Sequence, residues 1–204
     1  PLLRATTATA TNDHRLGGHE APPAIISIFL GDELTTIFEN IALGKNLPVA
    51  ASSKLNLDVD VIPSLRIDAG DRNRTSPFAF TGNKFEFRMP GSSSTPSTTA
   101  TAINAIVGEV LSEYADKLEK SDKENLDKTI VEIITDAYKK HGRIIFNGNG
   151  YSEEWQEEAK RRGLTNETSA NTALRKYLDP EILKVTEETG MLTIQESASR
   201  YNAY

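Results

Sequence analysis

Apolar side chains alternate with polar or charged ones in two stretches of the first half of the chain. Residues 55–67 begin LNLDVDV, and residues 84–88 read KFEFR. A period of two positions is typical of a β-strand with one buried face, so both stretches are predicted as strands, the first interrupted at Pro63. Residues 4–12 alternate small and hydroxyl side chains and fit a strand or a tightly packed small-residue segment. Residues 25–30, IISIFL, fit a buried strand or the start of a helix.

A helical period replaces this alternation in most of the remaining chain. Apolar residues recur three and four positions apart in six segments, which predicts helices over 33–41, 103–118, 126–138, 153–162, about 169–178 and about 193 to the end. Ser152 and Asp179 stand where helix N-caps are expected, the latter before a further helix that starts at Pro180, and Gly142 and Gly163 stand at expected helix ends. The single tryptophan, Trp155, is interpreted as an anchor onto the core. Strands followed by helices predict an α+β fold.

The strand at residues 84–88 separates its side chains by chemistry. Phe85 and Phe87 share one face, and Lys84, Glu86 and Arg88 share the other. On pattern alone this is either an edge strand over a core or part of a site. The arginines of segment 71–76 and the polar cluster at residues 12–23 favour a site. The turn-rich residues 147–150, NGNG, are interpreted as a hinge, since no Lys-Ser or Lys-Thr follows as in phosphate-binding loops.

Composition narrows the class of protein. The chain is 38% hydrophobic and 25% charged with a net charge of −6, as expected of a soluble protein without a nucleic-acid partner. Residues 1–100 carry 10 acidic and 9 basic side chains, and residues 101–204 carry 19 and 14, which fits solvated helices in the second half. No stretch is long and apolar enough for a membrane span, and cysteine is absent. We therefore expect a cytoplasmic protein. The start at Pro1 suggests a fragment of a longer chain.

Three motifs resemble those of glutamine synthetases. Residues 12–22, NDHRLGGHEAP, resemble the family's flap motif; residues 73–76, NRTS, look like its Asn-Arg-Ser segment; and KFEFR at 84–88 looks like its Lys/Arg-x-Glu-x-Arg strand. His19 and the FAF of 78–80, together with the helical extension, look most like the long type III class. The resemblance implies that residues 1–118 are the C-terminal part of the catalytic domain, containing the last part of its β-barrel or sheet with packed helices, and that 119–204 are a helical extension, truncated at the end.

The resemblance also implies a function. Members of this family are ATP-dependent glutamate–ammonia ligases that form glutamine through a γ-glutamyl phosphate, with Mg²⁺ or Mn²⁺. Glutamate, ammonium and ATP are then the expected partners, and a homo-oligomer, a dodecamer in the type III class, is implied. The fragment alone is expected to be inactive, because one carboxylate cannot hold the metal ions. A γ-glutamyl-amine ligase of the same fold and a catalytically inactive structural or regulatory homologue are the alternatives.

Site residues follow from the resemblance, position by position. Glu86 would be an oxygen ligand of the metal, the hard ligand that such ions prefer. Glu20 would be the flap carboxylate that shields the acyl phosphate and accepts the ammonium proton. Glu20 is thus a candidate catalytic group, as are Arg74 and Arg88, and Glu86 is the candidate metal ligand.

Four cations complete this set. Arg88 would hold glutamate and the transferring phosphoryl group, and Arg74 would contact the ATP phosphates and glutamate. Arg15 would hold the substrate carboxylate, and Lys84 stands at a position that is often basic near the nucleotide. The linker before Glu20 is one residue shorter than the commonest form, and a second arginine after NRTS is missing. The family's contacts to ATP are therefore the part of the site that matches this sequence least completely.

Overall fold

A computed structural model describes residues 1–18, 21–45, 54–55, 65–66 and 76–203, with only the backbone described at 54–55 and 65–66. The described part is mixed α and β, mostly helical, with a small sheet in the first half. Its helices are α1 Leu2–Thr6, α2 Ala10–Arg15, α3 Gly31–Ala42, α4 Ser97–Glu119, α5 Leu126–His141, α6 Glu153–Arg161, α7 Ala170–Leu174, α8 Pro180–Glu188 and α9 Ile194–Ala203. Short 3₁₀ turns cover Lys123–Asn125, Gly142–Ile144 and Arg175–Leu178.

The strands form one three-stranded sheet and one separate pair. They are β1 Ile28–Phe29, β2 Lys54–Leu55, β3 Leu65–Arg66, β4 Phe78–Phe80 and β5 Phe85–Phe87. In the larger sheet β4 is central, parallel to β1 and antiparallel to β5, with Ala79 opposite Glu86. The strand predicted at 84–88 is confirmed over Phe85–Phe87. The strand alternative for residues 25–30 holds at Ile28–Phe29 alone.

The strand predicted over residues 55–67 lies largely outside the described residues. Its two ends are strands, β2 and β3, which pair antiparallel with Lys54 opposite Arg66. Residues 56–64 and residue 67 are not described, so this prediction stays open for them.

The strand alternative for residues 4–12 is wrong, because this segment is helical. Helix α1 ends at Thr6 and α2 begins at Ala10, after Thr9, whose side chain accepts a hydrogen bond from the Asn12 amide as an N-cap. Alanine is the best helix former, and the small side chains let α1 approach α4 and α7 closely. The small-residue packing alternative is confirmed, since Ala5 and Ala8 are buried in a core cluster. The cluster contains Leu2, Ala5, Ala8, Ala102, Ala173, Leu174, Tyr177 and Leu192.

The later helices follow their predicted caps. The Ser152 hydroxyl accepts the Trp155 amide at 3.2 Å, and the Asp179 carboxylate accepts the Glu181 amide at 3.1 Å. Trp155 is 2% exposed and stacks on Phe146, so its interpretation as an anchor is confirmed. The helix predicted over 169–178 consists of α7 and the 3₁₀ turn that follows it. Within the described residues, no helix has the length and apolar character needed to cross a membrane.

Candidate functional site

One cavity lies where the end of α2 meets the sheet. It has a volume of about 370 Å³. Its walls come from four chain segments: Arg15, Leu16, Ala21, Pro22, Ser76, Pro77, Glu86, Arg88 and Met89. Three of the side chains selected from the sequence, Arg15, Glu86 and Arg88, therefore share one cavity although they come from elements separated by about 70 positions in the chain.

Glu86 and Arg88 project from the same face of β5 because they are two positions apart on one strand. The Arg88 Nε and Nη2 both donate to Oε2 of Glu86 at 3.3 Å. The Lys84 ammonium lies 3.6 Å from Oε1 of the same carboxylate. The predicted charged face is thus confirmed. Lys84 is 65% exposed and does not line the cavity, whereas Arg88 is 21% exposed and does.

The opposite face of this strand is aromatic but only partly covered. The Phe85 ring stacks on Phe78 with 5.3 Å between ring centres and lies 5.3 Å from Phe80. Phe85 nevertheless remains 48% exposed. The aromatic cluster holds β4 against β5 and so fixes the direction in which Glu86 and Arg88 project.

Arg15 is fixed by a network that sequence reasoning missed. Its Nε donates to the Asn12 side-chain oxygen at 3.0 Å, and its Nη2 donates to the Met89 carbonyl at 2.6 Å. Asn12, only 2% exposed, donates from its amide to the carbonyls of Thr7 and Met89. The Met89 carbonyl directly follows Arg88, so this network ties Arg15 to the end of β5. The sequence does not show which backbone carbonyl will accept a hydrogen bond. The polar Asn12 at the start of the motif was the one signal that could have indicated this network.

A turn follows directly after Arg15 and Leu16. Gly17 has φ +79°, a left-handed conformation that favours glycine. Its amide donates to the carbonyls of Ala21 and Pro22 at 3.2 and 3.1 Å. Glu20 lies outside the described residues, as does His19, but the next residue, Ala21, lines the cavity.

Two buried hydroxyls support the wall at Ser76. The Ser27 hydroxyl donates to Ser76 at 2.9 Å, and Ser76 donates to the Phe146 carbonyl at 3.0 Å. Both serines are at most 1% exposed. Sequence reasoning gave Ser76 no role, although it closes the NRTS motif. Arg74, two positions earlier, lies outside the described residues.

The charges of the cavity suit an anionic ligand. Among the described residues that line it, Arg15 and Arg88 stand beside one carboxylate, that of Glu86, and the Lys84 ammonium lies 3.6 Å from that carboxylate. In the part of the chain that the structure describes, no three or more His, Cys, Asp or Glu side chains are grouped closely enough to hold a metal ion. Glu86 is an oxygen donor of the type that Mg²⁺ and Mn²⁺ prefer, and it fits a metal as one ligand of a shared set.

Known proteins resemble this chain over nearly its whole length. A family model described as the glutamine synthetase C-terminal domain matches residues 129–204. A protein named type-3 glutamine synthetase from Dictyostelium discoideum is 44% identical over 200 residues, 98% of this chain and 27% of that protein. A glutamine synthetase from Bacteroides fragilis (strain YCH46) is 44% identical over 183 residues, 87% of this chain and 25% of that protein.

A third relative gives the same result. A glutamine synthetase from Butyrivibrio fibrisolvens is 39% identical over 201 residues, covering 98% of this chain and 28% of that protein. The chain spans only about a quarter of the length of the curated relatives that it matches. Identity of this extent, together with the match to the family model, establishes that the chain belongs to the glutamine synthetase family.

Proposed function

We propose that the full-length protein containing this chain is an ATP-dependent glutamate–ammonia ligase. The observation that carries the proposal is the meeting of Arg15, Glu86 and Arg88 at one cavity in a chain of this family. The γ-carboxylate of glutamate would be phosphorylated, and ammonia would then displace phosphate from the γ-glutamyl phosphate to give glutamine. Negative charge accumulates on the transferring phosphoryl group, so the reaction depends on fixed cations.

Each of the three side chains selected from the sequence that line the cavity would have a part in this reaction. Bound ATP supplies the phosphoryl group, and a divalent metal, Mg²⁺ or Mn²⁺, neutralises its charge. Glu86 would contribute one oxygen ligand to that metal. Arg88, held by two hydrogen bonds to Glu86, would present its guanidinium to glutamate and the phosphoryl group, where a planar donor pair suits carboxylate or phosphate. Arg15 would hold the substrate carboxylate.

Three further residues are proposed from the motifs alone. Glu20 would close the site and accept the ammonium proton, since proton transfer needs a carboxylate in a site that excludes water. Arg74 would contact the ATP phosphates and glutamate. Lys84 would lie near the nucleotide, which agrees with its exposed position 3.6 Å from the Glu86 carboxylate.

The organisation of the chain is part of the proposal. Residues 1–118 would complete the catalytic β-barrel or sheet with strands from the rest of the protein, and 119–204 would form a helical extension. The family-model match at 129–204 falls within that proposed extension. A cytoplasmic homo-oligomer, with the dodecamer of the type III class as its expected form, completes the proposal.

A product assay tests the function. The purified full-length protein is given glutamate, ATP and Mg²⁺ with either ammonium or methylamine, and both phosphate release and the amide product are measured. The proposal predicts that glutamine forms and that ammonium is strongly preferred. A preference for methylamine would identify a γ-glutamyl-amine ligase, and no product with either amine would identify an inactive homologue; both results contradict the proposal.

A further inference from the structure

A buried arginine joins three separate segments of the chain. Arg4, on α1, is 2% exposed, and its Nη2 lies 2.6 Å from Oδ1 of Asp13 on α2. Its Nε donates to the Glu167 carbonyl at 2.8 Å. The other oxygen of Asp13 accepts a hydrogen bond from the amide of Ala170, the first residue of α7. The ion pair thus connects α1, α2 and the start of α7.

Helix α2 is also held by hydrogen bonds from Asn12 and Arg15 to the end of β5. Asn12 donates to the carbonyl of Met89, and Arg15 donates both to Asn12 and to that carbonyl. A helix of six residues is too short to be stable by itself, so its position depends on contacts with the rest of the fold. Asp13 lies between Asn12 and Arg15 in sequence, and its two bonds, to Arg4 and to the Ala170 amide, tie the same helix to α1 and α7.

We propose that Asp13 is a positioning residue, which acts through α2 to place the Arg15 guanidinium in the cavity. The inference rests on the proposed function, in which Arg15 holds the substrate carboxylate. Glu167 and Ala170 fall within the part of the chain that matches the family's C-terminal domain. The helical region is therefore linked to the site through Asp13, although none of its described residues lines the cavity.

Steady-state kinetics of the full-length protein test this role. Asp13→Asn keeps an acceptor oxygen for the Ala170 amide but removes the charge opposite Arg4. We expect the KM for glutamate to rise about tenfold, because a small displacement of a substrate-binding group has a large effect, while the KM for ATP changes less than about twofold. In an Arg15→Ala background, Asp13→Asn should change the KM for glutamate no further, because residues that act through one another are not additive.

The matched control is Leu174→Ala. Leu174 packs in the core beside α1 but takes no part in the ion pair, so this variant should lower the melting temperature and leave the KM for glutamate unchanged. Should Asp13→Asn fail to fold, Arg4→Lys tests the same link by removing the bond to Glu167, and we expect a smaller rise in the same KM.

Three results would overturn the inference: an unchanged KM for glutamate, equal changes in both KM values, or the same rise in the Arg15→Ala background as in wild type. If the wild-type protein forms no glutamine, that result overturns the proposed function itself and is distinguishable from the three results above.

Discussion

At the scale of single residues, two charged groups of the candidate site are close in sequence and the third is distant. Glu86 and Arg88 project from one face of β5 because a strand repeats every two residues, and their hydrogen bonds hold each side chain in place. Arg15 lies on α2, far from β5 in sequence, and its guanidinium is held at the same cavity by hydrogen bonds to Asn12 and to the Met89 carbonyl. Sequence could predict the first relation from spacing, but the second depends on a backbone oxygen 74 positions away.

Replacement of the proposed flap carboxylate tests its chemical role. In the full-length protein, Glu20→Ala should lower kcat by about 10²- to 10⁴-fold, the usual contribution of a general base, and leave the affinity for ATP nearly unchanged. Turnover is followed by phosphate release and ATP affinity by equilibrium binding. Lys128→Ala, at an exposed position on α5, is the control and should behave as wild type. Wild-type turnover in Glu20→Ala would contradict the role.

At the scale of elements, local sequence was a good guide where a segment had a clear period and a cap. Helices α6 and α8 begin at the residues that Ser152 and Asp179 indicate, and the period of residues 126–138 identified α5. The N-terminal helices were missed as helices because alternating alanine and threonine resembles a strand, whereas burial of the alanines against α4 and α7 decides the outcome. Tertiary packing thus overrides a weak local pattern.

The start of α3 is capped by a residue distant in sequence. Asn147 accepts hydrogen bonds from the amides of Leu30 and Gly31, both at 3.1 Å, and donates to Thr35. Asn147→Ala should lower the free energy of unfolding by about 1–3 kcal/mol, because two backbone amides lose their acceptor. Asn147→Asp keeps an acceptor at a helix N-terminus and should cost less. Denaturant unfolding measures both, and equal losses would contradict this explanation.

The end of α5 makes stability depend on pH. Burial, with the positive charges of Lys140 and Arg143, lowers the pKa of His141 below its ordinary value of 6.5. The unfolded chain therefore takes up a proton first as the pH falls, so this contribution to stability is complete above pH 6.5 and is lost below it. Melting temperatures measured from about pH 5 to 8 should fall less steeply on the acid side in His141→Gln than in wild type. Identical profiles would contradict the assignment.

At the scale of the whole molecule, the chain brings the candidate side chains to one cavity and supplies the contacts that position them. The motifs predicted the candidate side chains, and the structure adds contacts around them: the Ser27–Ser76 pair, the Asn12 network and the ion pair of Arg4 with Asp13. Sequence could not predict these contacts, since each joins segments brought together only by folding or uses a backbone atom. In the described residues no three His, Cys, Asp or Glu side chains are grouped closely enough to hold a metal ion, and Glu86 is proposed as one ligand of a set that other residues complete.

The most direct measurement compares glutamine formation by the full-length wild-type protein and its Arg88→Lys variant, with Lys128→Ala as control. Lysine keeps the charge but loses the planar donor pair, so turnover should fall by about 10²- to 10³-fold, the usual cost of losing a group that stabilises transition-state charge. We predict glutamine from wild type and Lys128→Ala at equal rates, and little from Arg88→Lys. Wild-type turnover in Arg88→Lys would contradict the claim that this cavity is part of the ligase active site.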